Sequence, residues 1–228
     1  VAVCLPLVAL ASAKSYTTVF EETFGMSMPP EWSQNYPATR IVGNLYDVGG
    51  YDLSSFLITT EEGHILINTG LEGSAAMIES NLKSIGLRMA DIKILLITQA
   101  HFDHTADLAL IKEQTGARLL ATAADRAFLE DGGFSDPLIG GIESFRPVSV
   151  DGLIAEGDSV ELGEVSLRVL ERLPKYLLPK ATLKIFSRIF EIILRIGIIC
   201  PVFIVLKSMR GGTQPDHWTS PAKIFVQM

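Results

Sequence analysis

From Ile92 to Thr98 the chain is almost continuously apolar, with Ile92, Ile94, Leu95, Leu96 and Ile97 in one run. A run of that length without a polar face reads as a β-strand buried on both sides. Such a strand needs a packed layer above and another below it, which restricts the chain to a layered α/β architecture. The flanking segments agree. Ile41 to Gly50 reads as a strand ending in a glycine turn, and Leu53 to Thr59 as a second strand. Glu61-Glu62-Gly63-His64 reads as a hairpin turn that puts His64 at an exposed tip, followed by a third strand over Ile65 to Asn68. Gly73 to Gly86 has helical spacing, with Met77, Ile78, Leu82 and Ile85 on one face. Thr105 to Thr115 reads as a helix and Ala117 to Ala121 as a strand. Residues 14–38 read as irregular and residues 122–146 as loop-rich. Leu153 to Gly157 and Ser159 to Leu170 read as strands around a turn at Gly157-Asp158.

The charge is distributed unevenly. Residues 1–171 carry 24 acidic and 10 basic side chains, a balance of −14, whereas residues 172–228 carry 2 acidic and 9 basic, a balance of +7. A single domain seldom changes sign so sharply. The whole-chain charge of −7 gives no basic face for nucleic acid. Beyond residue 172 the composition is basic and very apolar. On a helix, Lys184, Arg188, Glu191 and Arg195 would form one narrow polar stripe among Ile, Leu and Phe. Residues 184–206 thereby leave contact with a membrane surface as an alternative reading of the tail. A spanning helix would bury Arg188, Glu191 and Arg195 in the bilayer.

The first thirteen residues read as an export leader. Val1 to Leu10 is apolar, Ala11-Ser12-Ala13 is an A-x-A cleavage pattern, and Lys14 begins a polar stretch. The expected location of the mature protein is the periplasm. Cys4 would leave with the leader, so Cys200 would have no internal disulfide partner. The chain thus divides into 1–13, 14–38, a domain over 39–171, and an atypical tail over 172–228.

The chemistry concentrates in Gln99-Ala100-His101-Phe102-Asp103-His104, which follows the buried strand and opens a helix. A loop in that place projects several side chains into one pocket. His101 and His104 offer imidazole nitrogens and Asp103 a carboxylate oxygen, the donor types of catalytic zinc sites. Zinc in such a site lowers the pKa of a coordinated water to about 7.

His-x-Asp-His after an apolar strand resembles the metallo-β-lactamase family. The flanks resemble its third subclass: Trp32-Ser33-Gln34, Arg40 to Tyr46, Ile65 to Leu71, Leu108 to Ala117, and Gly132-Gly133-Phe134-Ser135-Asp136. The resemblance runs over about residues 29–171. It implies the αβ/βα four-layer sandwich of that family, of which only the first half and the start of the second are recognisable. It also implies a zinc-dependent β-lactam hydrolase holding one or two Zn2+ ions. Gln99 stands where the family usually has a first His, as in the GOB-type enzymes. The implied metal ligands are Gln99 and His101 for one ion, and Asp103 and His104 for the other. Asp103 carries the implied catalytic role, binding metal and orienting water. Asn68, where an Asp is common, is implied to support the ligands from behind.

The resemblance breaks at Glu171. The family continues there into a Pro-Gly-His-Thr loop that provides another ligand, whereas this chain continues Arg172-Leu173-Pro174-Lys175 and has no His between His104 and His217. A shifted or mis-spliced reading near residue 172 accounts for the lost loop and the charge reversal together, and implies impaired activity; the alternative is a genuine, divergent tail. His64 and His217 read as incidental. The alternatives are another hydrolase of the same fold, such as a lactonase or thioesterase, and an inactive remnant whose tail meets a membrane surface.

Overall fold

The computed structural model describes residues 16–136, 140–170 and 224–227. A seven-stranded sheet runs in the order β1 (Thr39–Val42), β2 (Leu45–Asp47), β3 (Phe56–Thr60), β4 (Gly63–Ile67), β5 (Ile92–Leu96), β6 (Arg118–Ala121), β7 (Gly152–Leu153). Strands β1 to β4 pair antiparallel, and β4 to β7 pair parallel. A second sheet has the order β10 (Ile224–Gln227), β9 (Val165–Leu170), β8 (Ser159–Leu162).

Alternation along the central strands sends side chains into two separate cores. Leu57, Leu66, Leu95, Ile97 and Leu119 face one side, where they pack with Ile78 and Leu82 of α2 (Ser74–Ser84) and Leu108 and Ile111 of α4 (Leu108–Thr115). Ile58, Ile65, Ile67, Ile94, Leu96 and Leu120 face the other, where they meet Val160 of β8 and Val165, Leu167 and Val169 of β9. The described residues therefore build helices, a large sheet and a small sheet, in that order of layers. This is the expected α/β sandwich up to the start of its second half. Burying both faces of β5 explains why its sequence is nearly all Ile and Leu.

Several local expectations are corrected. The strand expected over 41–50 is part of a hairpin, because Gly43 at φ 55° lets the chain reverse between β1 and β2. The turn before β4 is confined to Glu61-Glu62, so His64 lies within β4 opposite Thr59, only 7% exposed. Among the described residues neither of its ring nitrogens has a hydrogen-bond partner. The helix expected over 105–115 is two pieces, α3 (Phe102–Thr105) and α4, separated at Asp107, whose carboxylate accepts from the backbone N of Ala75 at 2.6 Å. The loop-rich stretch 122–146 contains α5 (Ala123–Glu130). Its cap is the Thr122 hydroxyl, which accepts from the backbone N of Asp125 at 3.1 Å; a Thr-x-x-Asp signal for it stands in the sequence. Of the strand expected over 153–157 only Leu153 is in β7, and Ser159 to Leu170 is itself a hairpin turning after Leu162.

The segment 14–38 also holds more structure than expected. Tyr16–Phe24 forms α1, and Phe20 is buried against Trp32 and Phe102, with ring centroids 5.7 and 6.1 Å away. Those aromatic contacts bury enough apolar surface to order a short helix that would be marginal alone. The leader over 1–13, most of the tail over 172–228, the stripe over 184–206, Cys200 and His217 lie outside the described residues. Ile224–Gln227, where the sequence has no recognisable pattern, pairs parallel with β9.

Candidate metal centre

The site is built at the carboxyl ends of β4 and β5. After β4 the chain passes through Asn68-Thr69-Gly70, and after β5 through Thr98 to His101 into α3. These two loops are laced together. Thr69 N donates to the carbonyl of His104 at 2.8 Å, and Ala106 N to the carbonyl of Gly70 at 3.1 Å. Within the second loop the His101 carbonyl accepts from His104 N at 2.9 Å and from the Thr105 hydroxyl at 2.8 Å. Phe102, between the two histidines' positions, is buried and anchors the loop in the core.

Each predicted ligand can now be placed. Gln99 is half-buried just beyond β5. The His104 side chain is buried; its Nε2 lies 3.4 Å from Oδ2 of Asp103, and its Nδ1 lies 3.5 Å from the Thr98 hydroxyl. Thr98 in turn donates to Asn68 Oδ1 from its backbone N at 2.9 Å and from its hydroxyl at 3.2 Å. Asn68 thus stands behind His104, as the sequence implied. His101 turns elsewhere: its Nε2 lies 3.5 Å from Oδ2 of Asp136. Burial pushes the Asp103 carboxyl up, but the hydrogen bond with His104 and the charges of His104 and His101 outweigh it and hold the group below its ordinary value.

The donor chemistry fits zinc, and the number of donors falls short. The Asp103–His104 spacing is roughly the edge of a tetrahedron of ligands held about 2.1 Å from one ion. Yet among the described residues no three His, Cys, Asp or Glu side chains converge on one point. The donors stand in two pairs, His104 with Asp103 and His101 with Asp136. Sequence reasoning missed Asp136 and Thr98 as members of the site. The run Gly132-Gly133-Phe134-Ser135-Asp136 held the signal for Asp136, but nothing in it shows which side chain the carboxylate meets.

The Metallo-beta-lactamase superfamily is the family whose pattern matches, over residues 48–172, and the chain belongs to that superfamily. The match stops where the charge reverses. Similar solved structures include a beta-lactamase from Chitinophaga pinensis, 47% identical with a TM-score of 0.61, covering 62% of this chain and 54% of that one. The metallo-beta-lactamase GOB-18 from Elizabethkingia meningoseptica is 45% identical, with a TM-score of 0.62 and coverage of 64% and 54%. The class B3 di-zinc metallo-beta-lactamase LRA-12 from an Alaskan soil metagenome is 44% identical, with a TM-score of 0.62 and coverage of 64% and 55%. A curated relative, the hydroxyacylglutathione hydrolase of Bradyrhizobium sp. (strain ORS 278), is 25% identical over 182 residues, 76% of this chain and 61% of its own. The chain thus spans little more than half the length of these solved structures.

Proposed function

We propose that this chain is a zinc-dependent β-lactam hydrolase of the B3 kind, exported to the periplasm by residues 1–13 and impaired by the loss of its later ligands. The observation that carries the reading is the similarity, at 44–47% identity, to B3-type β-lactamase structures over the part of the chain that bears the His101–His104 loop. The residues that would hold metal are Gln99 and His101 for one ion, and Asp103 and His104 for the other. Zinc, when bound, supplies the Lewis-acid charge that polarises a carbonyl and acidifies a coordinated water. The protein's own part is positioning. Thr98 faces Nδ1 of His104 and leaves Nε2 on the Asp103 side. Asp103, held in its ionised form, would be an anionic ligand and a hydrogen-bond acceptor that orients a water. The lacing of the 68–70 loop to α3 fixes the backbone under both groups.

The relative named hydroxyacylglutathione hydrolase favours one second reading, a hydrolase of another carbonyl substrate such as a thioester. The two are separated by assaying the purified chain against a chromogenic cephalosporin and against thioester and lactone substrates, with and without chelator. Weak, chelator-sensitive turnover of the cephalosporin is expected. Preference for the thioester would replace the lactam reading, and turnover indifferent to chelator would remove zinc from it.

A further inference from the structure

Strand β9 is paired along both edges. β8 lies antiparallel on one side, and β10, from beyond the end of the superfamily match at residue 172, lies parallel on the other. We propose that β10 is an in-chain cap on that second edge, which in its absence pairs with the β9 edge of a second copy of this chain. The inference is independent of the zinc reading.

Three features carry it. The first is unmet backbone demand. Val169 N donates to the Asp158 carbonyl at 2.9 Å, and the Val169 carbonyl accepts from Gly157 N at 3.0 Å, so both of its polar groups are used on the β8 side. Alternation along the strand turns the N–H and C=O of Ser166, Arg168 and Leu170 to the opposite edge. Secondly, that edge invites another strand. β9 reads Val-Ser-Leu-Arg-Val-Leu, with Arg168 as its one charge, and Val165, Leu167 and Val169 are held in the core. An open edge of that composition is a template for pairing with another chain. β8 differs: it has four residues, and Glu161 is exposed within it, a short charged edge that resists pairing. Thirdly, the register of β10 matches the demand. Ile224 to Gln227 stand opposite Leu167 to Leu170, which covers the positions of Arg168 and Leu170. Ile-Phe-Val is uncharged, with β-branched and aromatic residues that favour strands. A parallel neighbour needs a crossover of about a dozen residues or more, and residues 171–223 exceed that length.

The test uses the full chain without added metal. Hydrogen exchange reports the amides of Ser166, Arg168 and Leu170, and light scattering reports mass over a range of concentrations. Wild type is expected to be a monomer in which these amides exchange slowly. Phe225→Pro/Val226→Pro puts one proline on each alternation of β10, so one of the two removes an N–H from the ladder. In that variant the three amides should exchange roughly tenfold faster or more at low concentration. Its mass should double as concentration rises, with protection regained in the dimer. Excess peptide of residues 221–228 should restore the monomer, and the same peptide carrying the two prolines should not. Amides no slower in wild type than in the variant would show that β10 leaves the edge open, which overturns the proposal. A variant with fast amides that stays monomeric at every concentration, a dimer that ignores the unsubstituted peptide, or a wild type that already dimerises through β9 overturns it as well. If the proline variant does not fold, Phe225→Gly/Val226→Gly, which loosens the strand without barring it, is read in its place.

Discussion

Asn68 ties the end of β4 to the end of β5 by accepting two hydrogen bonds from Thr98, one from the backbone N at 2.9 Å and one from the hydroxyl at 3.2 Å. It does so at φ 66°, where Asn is one of the few side chains tolerated, and it is buried. Removing the acceptor strands a half-buried N–H at a cost of about 1–3 kcal/mol. Asn68→Gly should show that loss in chemical denaturation. Asn68→Ala should lose roughly 1 kcal/mol more, because its Cβ is strained at positive φ. Equal stability of the two variants would remove the backbone part of the explanation.

The aromatic contact between α1 and the metal loop gives a second expectation. Phe20 is 6% exposed and meets Phe102 edge-on. Phe20→Ala should destabilise by about 3–5 kcal/mol. It should also lower zinc retention, since Phe102 sits between His101 and Asp103. A destabilised variant that binds zinc as wild type does would show that α1 supports the fold without supporting the loop.

Zinc content across ligand variants tests the asymmetry of the donors. Gln99 is a neutral amide, whereas Asp103 is an ionised carboxylate paired with His104. Asp103→Ala and His104→Ala should each lose most bound zinc, and Gln99→Ala should lose little. Equal loss in all three contradicts the asymmetry.

The Asp151 carboxylate gives a pH dependence away from the site. Burial pushes this carboxyl up, but Lys112 at 2.8 Å, the backbone N of Leu119 and the charges of Lys112 and Arg118 hold it below its ordinary value. A depressed carboxylate contributes stability that is fully present above its unfolded value and is lost as pH falls through the folded one. The urea midpoint of wild type should exceed that of Asp151→Asn at neutral pH, and the gap should begin to narrow only below the ordinary aspartate range, about 3.9, and go on closing at lower pH. A constant gap would mean that packing, rather than ionisation, sets the difference.

The parts of the fold that hydrophobic pattern controls were legible in the sequence. The apolar run of β5 and the helical spacing of α2 stand where expected, because each is fixed by which faces are buried. The loop after β5 was legible too, since two His and an Asp within four residues are a compositional signal. His64 was misplaced because the turn ends at Glu62, two residues earlier than the one read from the sequence, and every residue of the strand that follows is buried. The aromatic contacts of Phe20 and the pairing of Asp136 with His101 were not legible. Both join residues far apart in sequence, and no local pattern encodes which distant group a side chain will meet.

The last expectation concerns residues 172–228. The superfamily match ends at residue 172, and the net charge changes there from −14 to +7. A catalytic zinc site normally takes three protein ligands and a water. Among the described residues one pair of expected ligands, Asp103 and His104, stands together, and the loop that the resemblance implies would bring another begins where the match ends. A missing ligand weakens metal binding, and a displacement of about 1 Å at the reacting atoms costs roughly a hundredfold in rate. The 228-residue chain should therefore hydrolyse a chromogenic cephalosporin poorly. A gene whose reading frame is shifted after the codon for Glu171 should encode a Gly-His loop and restore chelator-sensitive turnover at least a hundredfold, on the order expected for a repositioned ligand. Efficient chelator-sensitive hydrolysis by the unaltered chain would falsify the claim that the tail disables the site.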